Sequence, residues 1–386
     1  MAADLTFCAG DWVEVQRKEH VLRTLDAKGQ LEGLPFMPQM FQYCGQRFRV
    51  FKRAHKTCDT VNGPAGLRMN NAVHLEGIRC DGQAYGGCQA GCMVFWKTAW
   101  LKKVSGPENS VLNASSEGNR VSKTSAFPSA TWERGGDEGA AWERAGNGSA
   151  TLERGGNGGC TEAEVWAGTK ADSNDNSGDP TYVCQITQLP LATTRLSPWD
   201  ISQYLEDYTS RNVDLFTIAA GFVYATYNRI INLGIGIGPI MRWVYDSFQA
   251  VRGGVPYPRR WGTIPEGQPT PFATLDLKPG ELVRVKSYDE ILQTLTTTNR
   301  NRGLFFDAEM VPFCGKTYRV RTRVNSILNE KTGKMMKMKN DCIILEDVFC
   351  RACYSEQRYF CPRAIYSYWR EIWLERVEDN KQGTVI

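Results

Sequence analysis

Histidine is scarce in this chain, with three among 386 residues, and the formal net charge is only +4. So small a charge on this length leaves no electrostatic footprint for nucleic acid. Also missing are a phosphate loop, a Gly-x-Ser-x-Gly elbow, a His-Glu-x-x-His helix and a dinucleotide fingerprint, which removes the commonest nucleotide-binding and hydrolase signatures. The N-terminal Met-Ala-Ala-Asp-Leu-Thr-Phe contains no basic stretch and no apolar one, so an export signal is not expected. No apolar run attains the roughly 18 to 20 residues of a bilayer span. The two longest, Leu215 to Asn228 and Ile230 to Met241, are split by Arg229 and ended by Arg242. Joined, they would carry an arginine into the bilayer, which is costly. The expectation is a buried helical hairpin packing two halves of the protein together, with neither a membrane nor nucleic acid as partner.

Cysteine, in contrast, is plentiful at 13 residues. Without export the compartment is the reducing cytoplasm, where clustered cysteines read as metal ligands or reactive thiols rather than disulfides.

The chain also repeats itself. Displaced by 270 positions, Gly10, Val13, Val15, Leu22, Thr24, Leu25, Phe36, Met40, Cys44, Gly45 and Val50 meet Gly280, Val283, Val285, Leu292, Thr294, Leu295, Phe306, Met310, Cys314, Gly315 and Val320. The register runs on to Cys80 and Cys350. Three residues are then added, and Cys88, Trp96, Trp100 and Leu101 meet Cys361, Trp369, Trp373 and Leu374. Positions kept in both copies are those that the fold requires. A length of 386 residues suits two or three domains. The expected division is a cysteine- and histidine-rich copy over 1–105, a disordered Gly/Ser-rich linker over 106–180, a helical apolar connecting segment over 181–275 and a second cysteine-rich copy over 276–380. Within the linker Trp132-Glu133-Arg134, Trp142-Glu143-Arg144 and Leu152-Glu153-Arg154 recur at a ten-residue spacing, a slippage pattern too short for a stacked solenoid.

Each copy opens on a strand, Trp12 to Val15 and Leu282 to Val285, and continues into an amphipathic helix, Lys18 to Leu25 and Tyr288 to Leu295. Further strands are expected at Phe48 to Phe51 and Ala72 to Ile78, matched by Tyr318 to Val320 and Cys342 to Val348. The fold class expected is α+β, mostly β: a tandem of two small cysteine-rich modules whose opening strands resemble SH3-like barrels, joined by a helical segment.

Three cysteine positions are common to the copies: Cys44/Cys314, Cys80/Cys350 and Cys88/Cys361. Cys92 closes the first set and Cys353 the second, so each copy can offer four thiolates, a closed site for zinc or an iron–sulfur cluster. The first copy holds extra chemistry. Its His55, Cys58 and His74 fall opposite Asn325, Leu328 and Ile344, and they are the alternative candidates for an open metal site or a Cys/His catalytic pair. His20, which meets Glu290, reads as a surface helix residue.

The phrases Gly10-Asp11-Trp12-Val13-Glu14-Val15, Leu34-Pro35-Phe36-Met37-Pro38, Tyr43-Cys44-Gly45-Gln46-Arg47-Phe48 and Cys80-Asp81-Gly82 through Cys88-Gln89-Ala90-Gly91-Cys92 resemble an uncharacterised bacterial cysteine-rich family. The resemblance covers the first copy well and the second in outline. It implies a bacterial, cytosolic source and supplies no catalytic residues. The reading is a metal-binding interaction or accessory factor for an unknown protein or small-molecule partner, zinc-loaded or alternatively iron–sulfur. The competing reading is a metalloenzyme centred on His55, Cys58 and His74.

Overall fold

The computed structural model describes residues 7–63, 65–106, 159–171, 179–234 and 236–377, which hold more sheet than helix. The three Trp/Leu-Glu-Arg phrases lie outside these residues, as does most of the expected linker. Apart from the two-residue ladder of Gln30–Leu31 with Leu34–Pro35, seven strands come from the described part of the first 105 residues: β1 (Trp12–Val15), β2 (Arg47–Arg53), β3 (Lys56–Asp59), β4 (Ala65–Met69), β5 (Ala72–Leu75), β6 (Trp96–Lys97) and β7 (Leu101–Val104). They form a five-stranded sheet of order β6-β5-β2-β1-β7, while β3 and β4 join a separate sheet with β8 (Thr193–Leu196). The C-terminal region contributes β9 (Leu282–Val285), β10 (Thr317–Leu328), β11 (Met335–Phe349), β12 (Tyr366–Trp369) and β13 (Leu374–Arg376), in the order β12-β11-β10-β9-β13. Val13 pairs with Phe48 and Val283 with Tyr318; a bulge separates Val50 from Lys52 and another separates Val320 from Thr322. None of the sheets closes, so the SH3-like closure expected from the opening strands is not formed: β6 and β7, like β12 and β13, stand at opposite edges.

Alternating apolar residues build each core. Val13 and Val15 point inward from β1, and Val283 and Val285 do so from β9. Above them Phe36 meets Trp96 at 6.2 Å and Trp100 at 5.1 Å, near edge-on, while Phe306 meets Trp369 at 6.1 Å and Trp373 at 5.3 Å. Trp96 Nε1 and Trp369 Nε1 have no hydrogen-bond partner among the described residues, whereas the other two indoles are satisfied alike. Trp100 Nε1 donates to Thr24 Oγ1 at 3.0 Å, and Trp373 Nε1 donates to Thr294 Oγ1 at 2.9 Å. Each threonine hydroxyl in turn donates to a carbonyl one helical turn back, Val21 or Ile291. That explains why these two threonines stand at the ends of α1 (Lys18–Thr24) and of the short helix Tyr288–Leu292.

The halves differ in their central hairpin. β10 and β11 run 12 and 15 residues without interruption. In the first half the corresponding hairpin breaks after Arg53, and β3 and β4 turn away together, β4 pairing with β8 on its far edge, Thr193 facing Met69 and Leu196 facing Gly66. The final part of the expected linker is structured as well. Residues 159–171 carry α2 (Glu162–Ala167), whose cap Thr161 exchanges bonds with Glu164 and whose Val165 joins the first core. Both halves and the segment between them fall within one compact unit.

The connecting segment forms α3 (Ser202–Thr209), α4 (Leu215–Ile231) and α5 (Gly238–Arg252). Helix α3 begins later than Ser197-Pro198 implies, because Ser197 and Asp200 make their own turn first. The hairpin breaks not at Arg229 but at 232–237, where Gly234 adopts a φ of 74°. Its burial is the reverse of the expectation. The inner face holds Tyr224, Asn228 and Ile231, with Tyr257 donating to Asn228 Oδ1 at 2.5 Å, while Phe216, Val223, Trp243 and Val251 face outward. Among the described residues no helix is long and apolar enough to cross a membrane.

Thr24→Val and Thr294→Val should each destabilise the protein by about 1–3 kcal/mol, since each strands a buried indole N–H. Urea unfolding of the two variants measures this; a loss confined to one of them would mean that the two indole contacts are not equivalent.

Candidate metal centres

The thiols gather in two places. Cys80, Cys88, Cys92 and Cys184 line one cavity of about 30 Å³ together with Met37, Tyr85 and Leu328. Its walls are set by the loop that follows β5. Cys80 N donates to Cys92 O at 2.8 Å, and an antiparallel bridge joins Arg79 to Met93. Between them Gly82 turns at a φ of 73°, and a Cβ there would meet the Cys88 carbonyl oxygen at 1.9 Å, so only glycine fits. The Gly82 backbone N–H is directed at the Cys80 sulfur, and those of Ile186 and Thr187 at Cys184. Cys88 Sγ accepts from Leu328 N at 3.3 Å, and Gln89 Oε1 accepts from Asn325 N and Ser326 N at 2.9 and 3.0 Å. The cysteine loop of the first half is thus sewn to β10 of the second. Cys184 is held beside it by the buried Gln185, whose amide binds Phe95 N, Phe95 O and Pro35 O.

A second cavity, of about 230 Å³, is lined by Cys58, Cys350 and Cys361 with Glu309, Arg358 and Arg363. Cys350 and Cys361 also border a neighbouring hollow with Cys353 and Lys52. The local backbone matches that of the first centre. Ala352, 270 positions after Gly82, sits at a φ of 54°, and its N–H is directed at Cys350. The Arg363 N–H does the same for Cys361. Cys58 arrives from β3 of the other half. It is fixed by the buried Arg363, whose Nη1 donates to Cys58 O at 3.3 Å and Thr60 Oγ1 at 3.1 Å while Nη2 donates to Glu330 at 2.7 Å.

Burial governs the thiol acidities. It pushes Cys80 up to about 12 and carries Cys92, Cys184, Cys350 and Cys353 upward too, while Cys361 is raised first by its hydrogen bond to Cys58 and then by burial. Cys58 moves the opposite way, to about 6, because the Cys361 thiol donates to it and Arg363 and Arg358 add positive potential. As placed, no three histidine, cysteine or acidic side chains among the described residues converge closely enough to hold an ion; the thiols ring cavities instead.

Cys80, Cys88 and Cys92 line the first cavity, Cys350 and Cys361 the second, and Cys353 the neighbouring hollow. Cys44 and Cys314 line neither cavity. Each closes a 3-10 turn, Cys44 N donating to Phe41 O and Cys314 N to Val311 O, backbone bonds that any residue but proline would make. Cys184, which lies in the connecting segment and has no counterpart in the second copy, lines the first cavity, and Cys58, read from sequence as catalytic, lines the second.

His55, Cys58 and His74 do not form a constellation. His55 Nε2 lies 3.1 Å from Gln203 O and 3.3 Å from Asp207 Oδ1. Asp207 itself takes a 2.5 Å bond from the buried Lys56, a pair that the sequence pattern did not reveal. His74 uses Nδ1 on Val94 O at 2.9 Å, and its ring lies 4.4 Å from Phe95. A scan against protein-family models matches none, and no curated protein is significantly similar to the chain.

Burial holds both imidazoles neutral, lowering His55 to about 3 and His74 to about 4. An unfolded histidine takes up its proton near 6.5, so this stability is complete above that pH and is lost as pH falls toward 4. Between about pH 6 and 4.5 each histidine should contribute a fall of roughly 1.4 kcal/mol per pH unit in unfolding free energy. His74→Asn should remove one such contribution, seen as a shallower pH dependence in urea unfolding. An unchanged slope would show that His74 is not held neutral.

Proposed function

We propose that this chain is a metal-binding protein made of two copies of one cysteine-rich module, each an open relative of the SH3-like barrel, acting as an interaction or accessory factor. The observation that carries the reading is the sorting of eight thiols into two groups: Cys80, Cys88, Cys92 and Cys184, and Cys58, Cys350, Cys353 and Cys361. Four thiolates suit a closed structural zinc site, or alternatively an iron–sulfur cluster. Backbone N–H groups directed at Cys80, Cys184, Cys350 and Cys361 support it, because they stabilise sulfur in its charged, ligating form. Thiols raised by burial release their protons only on binding a cation, which couples metal loading to folding. The second group draws on both halves, so its metal would join them.

Metal analysis of the purified protein tests this. Cys184→Ser and Cys58→Ser should each lose about one equivalent and unfold at lower temperature, while Cys44→Ser and Cys314→Ser keep the full complement. The opposite pattern would restore the ligand sets expected from sequence, and a metal-free protein after anaerobic purification would overturn the reading.

A further inference from the structure

The α4–α5 hairpin turns large apolar side chains to the outside. Phe216, Val223, Trp243 and Val251 are 79, 69, 69 and 89 % exposed, while Ile218, Tyr224, Asn228 and Ile231 face the protein. Tyr227 donates to Met241 O at 2.6 Å, and Asp246 accepts from Tyr257 N at 2.6 Å. At 3.6 residues per turn, the exposed positions cover roughly half the circumference of each helix, and Arg229 is the only charge among those between Leu215 and Ile231. The turn is apolar as well, with Leu233 61 % exposed. Beside α4, Trp199 and Ile201 extend the patch, Trp199 sharing a hollow with Phe222 and Arg229. Together these side chains expose on the order of several hundred Å² of contiguous apolar surface, the scale at which a patch marks an interaction site.

We infer that this hairpin docks on a lipid bilayer surface carrying anionic headgroups, lying in the interface without spanning it. Two observations favour lipid over a second copy of the chain. A helix–helix seam needs an apolar stripe only about 100° wide, and the exposed arc is much broader, as immersion in an apolar phase requires. The cations within the patch are also placed for headgroups. Arg229 lies over the Trp199 ring at 4.7 Å and Arg252 over Phe248 at 5.2 Å, and neither is in an ion pair among the described residues. Such arginines run their stems along apolar surface and present the guanidinium to phosphate. The lengths agree: helices of 17 and 15 residues measure about 25 and 22 Å, short of the roughly 30 Å hydrocarbon core.

Flotation of the full-length protein with phosphatidylcholine vesicles, with and without phosphatidylglycerol, tests the inference independently of the metal centres. The expected result is binding that phosphatidylglycerol strengthens and salt weakens. Val223→Glu and Val251→Glu, both at exposed sites, should each reduce partitioning by about tenfold or more with unchanged thermal unfolding. The double variant Arg229→Gln/Arg252→Gln should lose the preference for phosphatidylglycerol. Protein that stays in the buffer with every vesicle overturns the inference. So does a solution dimer that Val251→Glu separates into monomers, because the patch then belongs to a second copy.

Discussion

One buried guanidinium holds the two halves in register. Arg363 is almost wholly enclosed, and a charge so placed must be both paired and hydrogen-bonded. Glu330 of the second half supplies the carboxylate, and the first half supplies the Cys58 carbonyl and the Thr60 hydroxyl. These partners come together only when β3 of one half lies against the loop bearing Cys350 and Cys361 of the other. The second thiol group, the downward shift of the Cys58 pKa and the path of the first-half hairpin all depend on that arrangement.

The two halves differ around the same contact. β10 and β11 form one unbroken hairpin, whereas the matching hairpin of the first half breaks after Arg53 and sends β3 and β4 outward. His55, Lys56 and Cys58 all lie on the diverted stretch. Lys56 and His55 meet Asp207 on α3, and Asn212 bonds both Arg53 N and Arg53 O. The residues that set the first copy apart therefore anchor the connecting segment and deliver one thiol across the molecule. Nothing in their geometry arranges a proton transfer or a nucleophilic attack between them.

The proposed metals and the apolar hairpin occupy different parts of this scaffold. The first thiol group lies where the Cys80–Cys92 loop meets β10, and the second where Cys58 meets the Cys350–Cys361 loop. The hairpin is attached through tyrosines, with Tyr224 packing on Tyr354 at 5.0 Å and Gly221 leaving room for the Phe360 ring. Tyr354 and Phe360 flank Cys353 and Cys361 in sequence, so the loop that carries the second thiol group is also the hairpin's seat.

Read alone, the sequence determined the local elements. The 270-residue register located the opening strands, the helix after β1 and, with three residues added, the paired tryptophans, because each depends on neighbours in the chain or on a simple apolar period. Short cysteine spacings likewise marked Cys88 with Cys92 and Cys350 with Cys353. Only the tertiary structure decided the rest. Which thiol completes each group is a matter of long-range approach, and Cys184 and Cys58 reach their groups through segments about 90 and 300 residues distant, a separation that carries no periodic signal. The hairpin shows the same limit. Its apolar residues were plain in the sequence, but periodicity identifies a face without saying whether protein or another phase covers it. Inside, Tyr227, Tyr257 and Asn228 found hydrogen-bond partners, while Phe216, Val223, Trp243 and Val251 were left facing outward.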